Sequence, residues 1–147
     1  MGSEISAGVK NVFVENCVMD SPNLDRAIRI KSNTKRGGVV ENVYVRNIEV
    51  GQVKEAVLKI NMFYGIYGKQ EGDFMPEVKN IYLENIKVKN GGKYGILAQG
   101  YKELPIQNIT LKNVIIEKVK EPYLLENVKN INFIDTYING ELMTNNN

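Results

Sequence analysis

Histidine and tryptophan are absent from the 147 residues, and cysteine occurs once, at Cys17. Without histidine there is no Ser-His-Asp triad, no imidazole acid–base catalysis and no His-ligated metal. A lone cysteine forms neither an internal disulfide nor a cysteine-based zinc cluster, and it leaves the redox compartment undecided. Apolar runs end after a few residues, well short of the roughly 20 needed to span a bilayer. The start, Met1-Gly2-Ser3-Glu4, has no basic n-region and no apolar h-region, so no signal peptide is read. An excess of one charge is missing too: 19 basic residues face 17 acidic ones, for a net +2. A balance so evenly spread makes no case for nucleic acid, which calls for a clustered basic face.

Helix formers are scarce as well. Ala and Leu together number 13, against 32 Ile and Val. β-branched residues favour strands, so the composition points to a soluble, single-domain, β-rich protein.

Asparagine, by contrast, is abundant, and it is ordered. Five segments share the pattern Asn-apolar-x-apolar-x-Asn/Asp: NVFVEN from Asn11, NVYVRN from Asn42, NIYLEN from Asn80, NITLKN from Asn108 and NINFID from Asn130. The second polar residue follows five later each time, at Asn16, Asn47, Asn85, Asn113 and Asp135. Apolar residues alternate within each unit, the period of a half-buried strand. A third apolar run follows: Ala27-Ile28-Arg29-Ile30, Ala56-Val57-Leu58-Lys59-Ile60, Gly95-Ile96-Leu97-Ala98 and Tyr123-Leu124-Leu125. Gly37-Gly38, Gly51 and Gly91-Gly92 supply turns between the runs.

Units this short cannot bury an apolar face alone, so they must stack. Stacked coils place each Asn over its neighbour, where side-chain amides can bond along the stack. Asn also tolerates the left-handed backbone of a sharp bend. A leucine-rich repeat needs a steady 20–29 residue period. Here the first-Asn spacings are 31, 38, 28 and 22 residues. An all-β, parallel β-helix solenoid of four to five coils fits best, over residues 1–140. The polar tail, 141–147, is expected to be disordered at its end. Nothing amphipathic precedes the first repeat, so the N-terminal coil reads as uncapped: either earlier coils are missing, or the edge self-associates.

Candidate chemistry is sparse. With Ile28 and Ile30 inward, Arg29 and Lys31 point out together, and Lys59 and Asn61 stack above them if Leu58 and Ile60 face in. Pattern alone favours an ordinary solvated strand face; the functional alternative is a cationic groove for carboxylates. Tyr64 reads first as half-buried packing, or else as a ligand contact on a loop rim. The aspartates are Asp20, Asp25, Asp73 and Asp135, with no Asp-Asp pair. Asp20 and Asp25 flank a turn, where solvation and turn chemistry account for them. No cofactor motif or metal cluster is read, and Cys17 reads as a small apolar side chain.

These residues carry a resemblance. Gly2–Val12, then Arg26-Ala27-Ile28-Arg29-Ile30-Lys31-Ser32, then Lys35-Arg36-Gly37-Gly38-Val39-Val40-Glu41-Asn42 resemble the R-I-K region of polygalacturonase-type glycoside hydrolases, family 28. Tyr64 falls where that family carries its active-site tyrosine. The resemblance implies a right-handed parallel β-helix and inverting hydrolysis of α-1,4-galacturonosyl bonds in pectin. It makes Arg29, Lys31 and Tyr64 substrate-binding residues for an acidic polysaccharide or oligogalacturonide, with no cofactor, metal or membrane partner. The family's N-T-D, D-D and G-H-G segments precede the matched portion and do not occur in this sequence. The expectation is therefore a C-terminal portion, inactive alone, with no catalytic residue in this chain. The alternatives are a non-catalytic β-helix that binds acidic polysaccharide and a structural stacking module. The compartment, whether secreted, periplasmic or cytoplasmic, stays open.

Overall fold

The computed structural model describes residues 1–65 and 72–145. All ten corner positions of the repeat have positive φ: the nine asparagines lie at 52–59°, and Asp135 at 47°. One left-handed residue between two extended segments turns the strand and shifts its pleat by one position. The strand Val39–Val50 shows the result, with Val40, Val43, Val45, Ile48 and Val50 buried while Glu41, Asn42, Arg46 and Asn47 are not. The inward step alternates between three residues across a corner and two along a face.

In chain order the strands are β1 (Gly8–Met19), β2 (Arg26–Lys31), β3 (Val39–Val50), β4 (Ala56–Asn61), β5 (Glu77–Val88), β6 (Gly92–Gln99), β7 (Ile106–Ile116), β8 (Val119–Glu126), β9 (Val128–Ile134), β10 (Tyr137–Ile138) and β11 (Glu141–Leu142). β1, β3, β5 and β7 pair in parallel and in sequence order, and β2, β4, β6 and β8 do the same in a second sheet. Each coil gives one long bent strand to the first sheet and one short strand to the second. The fold is a parallel β-helix of four coils, followed by a partial fifth in which β9 and β10 both pair with β7. Among the described residues no helix is long and apolar enough to cross a membrane.

Register stacks like on like inside the coils. Val12, Val43, Ile81, Ile109 and Ile131 form one column, and Ile28, Leu58 and Ile96 another. Most of these residues are fully buried, and burying each aliphatic side chain is worth about 1.5–3 kcal/mol.

Two amide ladders run along the corners. Nδ2 of Asn42, Asn80, Asn108 and Asn130 each donates to Oδ1 of the corner asparagine one coil earlier, at 2.8–3.1 Å. Asn47, Asn85 and Asn113 do the same at 2.8–3.0 Å. Every bond has the same polarity. Asp135 has no amide to donate, and the second ladder stops there. Outside, charges alternate in sign along the stack, as in Glu15–Arg46 and Glu84–Lys112, or Lys10–Glu41–Lys79.

The C-terminal tail differs from its polar composition. Asn139 and Gly140 both have positive φ and turn β10 into the antiparallel β11. Two-residue hairpins require that geometry, and Asn-Gly supplies it. The Met143 N–H then donates to the Thr136 carbonyl at 2.8 Å, and Asn145 Oδ1 accepts the Phe133 N–H at 2.7 Å. Residues 141–145 fold back on the last coil; residues 146–147, the end of the tail, lie outside the described residues.

Candidate functional site

Three sequence-predicted residues meet on the outer face of the second sheet. β2 carries Ile28 and Ile30 into the core, which turns Arg29 and Lys31 outward. Tyr64 arrives from the turn after β4. Its ring lies 4.3 Å from Lys31 Nζ and 5.1 Å from Arg29 Cζ, measured to the ring centre. Each cation over such a ring gains about 0.5–2 kcal/mol.

A buried polar loop holds the ring in place. The Tyr64 N–H donates to the Ser32 carbonyl at 3.0 Å, and Asn33 Nδ2 donates to the Tyr64 carbonyl at 3.1 Å. Asn33 Oδ1 also accepts the Lys35 and Arg36 N–H groups, each at 3.1 Å. Ser32 Oγ donates to the Gly37 carbonyl at 3.1 Å. Gly37 has φ +61°, and a Cβ there would sit 2.7 Å from the Phe74 Cβ, so only glycine closes this loop. Ser32 and Asn33 are 2% and 5% exposed; they escaped sequence reasoning, because a Ser-Asn pair after a strand looks like an ordinary turn.

The neighbouring coil differs in one respect. Lys59 lies in register with Arg29, and Asn61 with Lys31, as the alternation of inward residues predicts. Lys59 is bound by Glu55, which also pairs with Arg26. Burial pushes the Glu55 carboxyl up, yet Lys59 and Arg26 outweigh it and hold the group below its ordinary value. Among the described residues neither Arg29 nor Lys31 has a carboxylate partner. The Met1 ammonium, which donates to the Arg29 carbonyl at 2.8 Å, reports the local field: burial, then Lys31 and Arg29, lower its pKa. One cation is neutralised, and two are held by an aromatic face. Such a pair can take an incoming carboxylate without first breaking an ion pair.

Further along the stack, the row from Lys31 and Asn61 continues through Gln99 and Glu126, which bond to each other at 3.2 Å. The row beside it passes from Arg29 and Lys59 to Leu97 and Leu124. The cations of these two rows therefore sit on the first two coils, and beyond them one row becomes amide and carboxylate and the other apolar. A separate groove of about 420 Å³, lined by Val18, Glu49, Lys87 and Ile115 among others, shares no lining residue with the Arg29 cluster. Cys17 donates its thiol to the Glu15 carbonyl and packs against the core, as its apolar reading expects. Asp25 lies 3.6 Å from Arg26 and its carbonyl accepts the Glu55 N–H, a turn role. No group of three His, Cys, Asp or Glu among the described residues could hold a metal ion.

The fold is thus a parallel β-helix that carries two cations and a tyrosine together on one outer face. The chain belongs to glycosyl hydrolases family 28, whose family model matches residues 1–137. A polygalacturonase of Ralstonia solanacearum is 31% identical over 125 residues, covering 80% of this chain and 23% of its own length. A probable polygalacturonase of Vitis vinifera is 30% identical over 118 residues, covering 79% and 23%. The crystal structure of a hyperthermoactive exopolygalacturonase from Thermotoga maritima superposes with a TM-score of 0.85 at 34% identity, over 97% of this chain and 30% of that one. The chain thus spans roughly a quarter of the relatives it matches.

Proposed function

We propose that this chain forms the carboxylate-binding part of a polygalacturonase-type cleft, with Arg29 and Lys31 gripping galacturonate groups and Tyr64 lining the same site. The observation that carries this reading is the Arg29–Lys31 couple over one tyrosine ring, with no carboxylate partner among the described residues, in a chain of this family. Guanidinium binds carboxylate in two parallel bonds, and ammonium adds a point charge. Hydrogen bonds to charged groups are worth about 1.5–3 kcal/mol each, or roughly ten- to a hundredfold in affinity.

Calorimetry with an oligogalacturonide tests it. Arg29→Ala and Lys31→Ala should each weaken binding about tenfold, and added salt should weaken it further. Equal affinity for the fully methyl-esterified oligomer would sink the idea, since the esters carry no charge.

Hydrolysis is a separate matter. Inverting glycosidases need one carboxylic acid to protonate the leaving oxygen and one carboxylate to activate water across the ring. No carboxylate joins the Arg29–Lys31–Tyr64 cluster among the described residues, so the cluster positions substrate without a proton donor. The purified chain is expected to bind polygalacturonate and release no reducing ends from it. Release of reducing ends that disappears in Arg29→Ala would overturn this part and leave the binding claim standing.

A further inference from the structure

We propose that the edge where the first sheet passes into the second is a further anion-binding site, which holds an acidic polysaccharide through Lys54, Lys93, Lys118 and Lys120. Charges that are evenly spread along the sequence are gathered here by the stack. Elsewhere Lys10, Lys59, Lys79 and Lys112 each meet a glutamate. Along this edge Lys54, Lys87, Lys89, Lys93, Lys118 and Lys120 are exposed and form no ion pair among the described residues. Asp20, Glu49 and Glu117 line the adjoining depressions without pairing with these lysines, and Glu55 is taken up by Lys59 and Arg26.

Close stacking of the turns brings the lysines together. Gly92 has φ +68°, and a Cβ there would lie 2.3 Å from the Val53 carbonyl oxygen and 2.6 Å from that of Lys54. Only glycine lets this turn settle against the one before it. The Lys93 N–H donates to the Lys54 carbonyl at 3.3 Å, and Gly92 stands in register with Val119 on the next coil. Lys54, Lys93, Lys118 and Lys120 thereby line one open depression of about 540 Å³, with Gln52 and Asn90 beside them and no acidic residue in its wall.

Lys118 supplies a second, independent observation. Among the described residues thirteen non-glycine positions have positive φ; eleven are Asn, one is Asp135, and the last is Lys118 at 53°. Asn and Asp tolerate the left-handed backbone, and lysine adopts it under strain. Strain held where asparagine would relieve it marks a position used for something besides folding.

The chemistry of the depression selects its ligand. Lysine is a point charge on a flexible stem, so it meets a carboxylate from many directions, whereas an arginine fork demands one. Coils roughly 4.8 Å apart set such charges in succession along the axis, which suits a polymer with a charge on each unit. Asn90 Oδ1 accepts the Gly92 N–H at 3.2 Å, and Gln52 Nε2 donates to the Pro22 carbonyl. Their other amide atoms, Asn90 Nδ2 and Gln52 Oε1, have no partner among the described residues and can bond sugar hydroxyls. No aromatic side chain lines the depression, so the bases of a single-stranded nucleic acid find no platform there. The lysines stand where β6 and β8 begin, whereas Arg29 and Lys31 lie toward the end of β2. An acidic chain held at this edge is tethered beside the Arg29 cluster, not within it.

Calorimetry with polygalacturonate tests this on the double variant Arg29→Ala, Lys31→Ala, from which the first cluster has been removed. Residual binding is expected at low salt and should disappear at high salt. Adding Lys93→Gln and Lys120→Gln, both at exposed positions, should weaken it at least tenfold. Lys118→Asn in the same background should melt no lower than its parent, because the strain is relieved, yet bind several-fold more weakly. Absence of residual binding, residual binding indifferent to these lysine changes, equal binding of the fully methyl-esterified chain, or tighter binding of a single-stranded RNA homopolymer would each overturn the proposal. The two sites fail separately: a double variant that binds as tightly as the unaltered chain, and loses that binding with Lys93 and Lys120, removes the Arg29–Lys31 reading and keeps this one.

Discussion

Asparagine at a corner does two jobs that other residues separate. Asn80, at φ 59°, holds a left-handed turn while its side chain bonds to Asn42 on one side and Asn108 on the other. Glycine would keep the turn and lose the bonds; alanine would lose both. Left-handed backbone costs a non-glycine residue about 1–2 kcal/mol, and each net hydrogen bond is worth about 1. Asn80→Ala is therefore expected to destabilise by roughly 3 kcal/mol and Asn80→Gly by clearly less, measured by urea unfolding. Equal losses would mean that the left-handed backbone costs alanine nothing, and an unchanged stability of Asn80→Gly would mean that the ladder bonds contribute nothing. The corners were legible in the sequence because this double demand leaves asparagine almost no substitute. Ser32 and Asn33 were not, since their role depends on Tyr64, which lies some thirty residues away and meets them only through the fold.

At the scale of the element, register decides which charges meet. Alternating signs along the outer face were invisible until strands were stacked, because Glu15, Arg46, Glu84 and Lys112 look unrelated in the linear chain. The same holds for Glu55, which binds Lys59 and Arg26 while Arg29 and Lys31 have no carboxylate partner among the described residues. Its folded-state pKa is lowered, so its stabilising effect is present above its unfolded value of about 4.5 and is lost as pH falls through the folded value. Melting temperature should drop on acidification below about pH 4.5, and Glu55→Gln should flatten that part of the curve. A variant with an unchanged acid slope would show that the Glu55 pairs carry no net stability. The β10–β11 hairpin belongs to this scale too. Its Asn139-Gly140 signal stood in the sequence but was outweighed by the polar composition around it, although two residues at positive φ outrank composition as a turn signal.

The whole molecule is a stack in which each coil touches only its neighbours, so stability should be graded along the axis. Ile81 and Ile131 occupy the same column, one fully buried in the middle and the other half-buried near the end. Ile81→Ala should cost about 2–5 kcal/mol and Ile131→Ala markedly less. Hydrogen exchange should be slowest in β5 and fastest in β1 and β9. Uniform protection from end to end would contradict a solenoid that frays from its edges. The stacking itself was readable from five repeats at one internal interval. The fold-back of the last coil was not, because it rests on single side chains such as Asn139 and Asn145, whose partners Val119 and Phe133 are met only through the fold.

The fixed interval between corners has a counterpart in what is free to vary. Connections between the second sheet and the next coil occupy residues 32–38, 62–76, 100–105 and 127, very different lengths joined to coils of one gauge. Inserting a residue between Tyr44 and Val45 would turn the rest of that face inside out. The same insertion beside Gly65 would lengthen a connection outside the strands at small entropic cost. Tyr64 stands in that longest connection. Length thus varies most on the side of the coils beside the cations, so the shape of that rim can be redrawn while the scaffold beneath it keeps its dimensions.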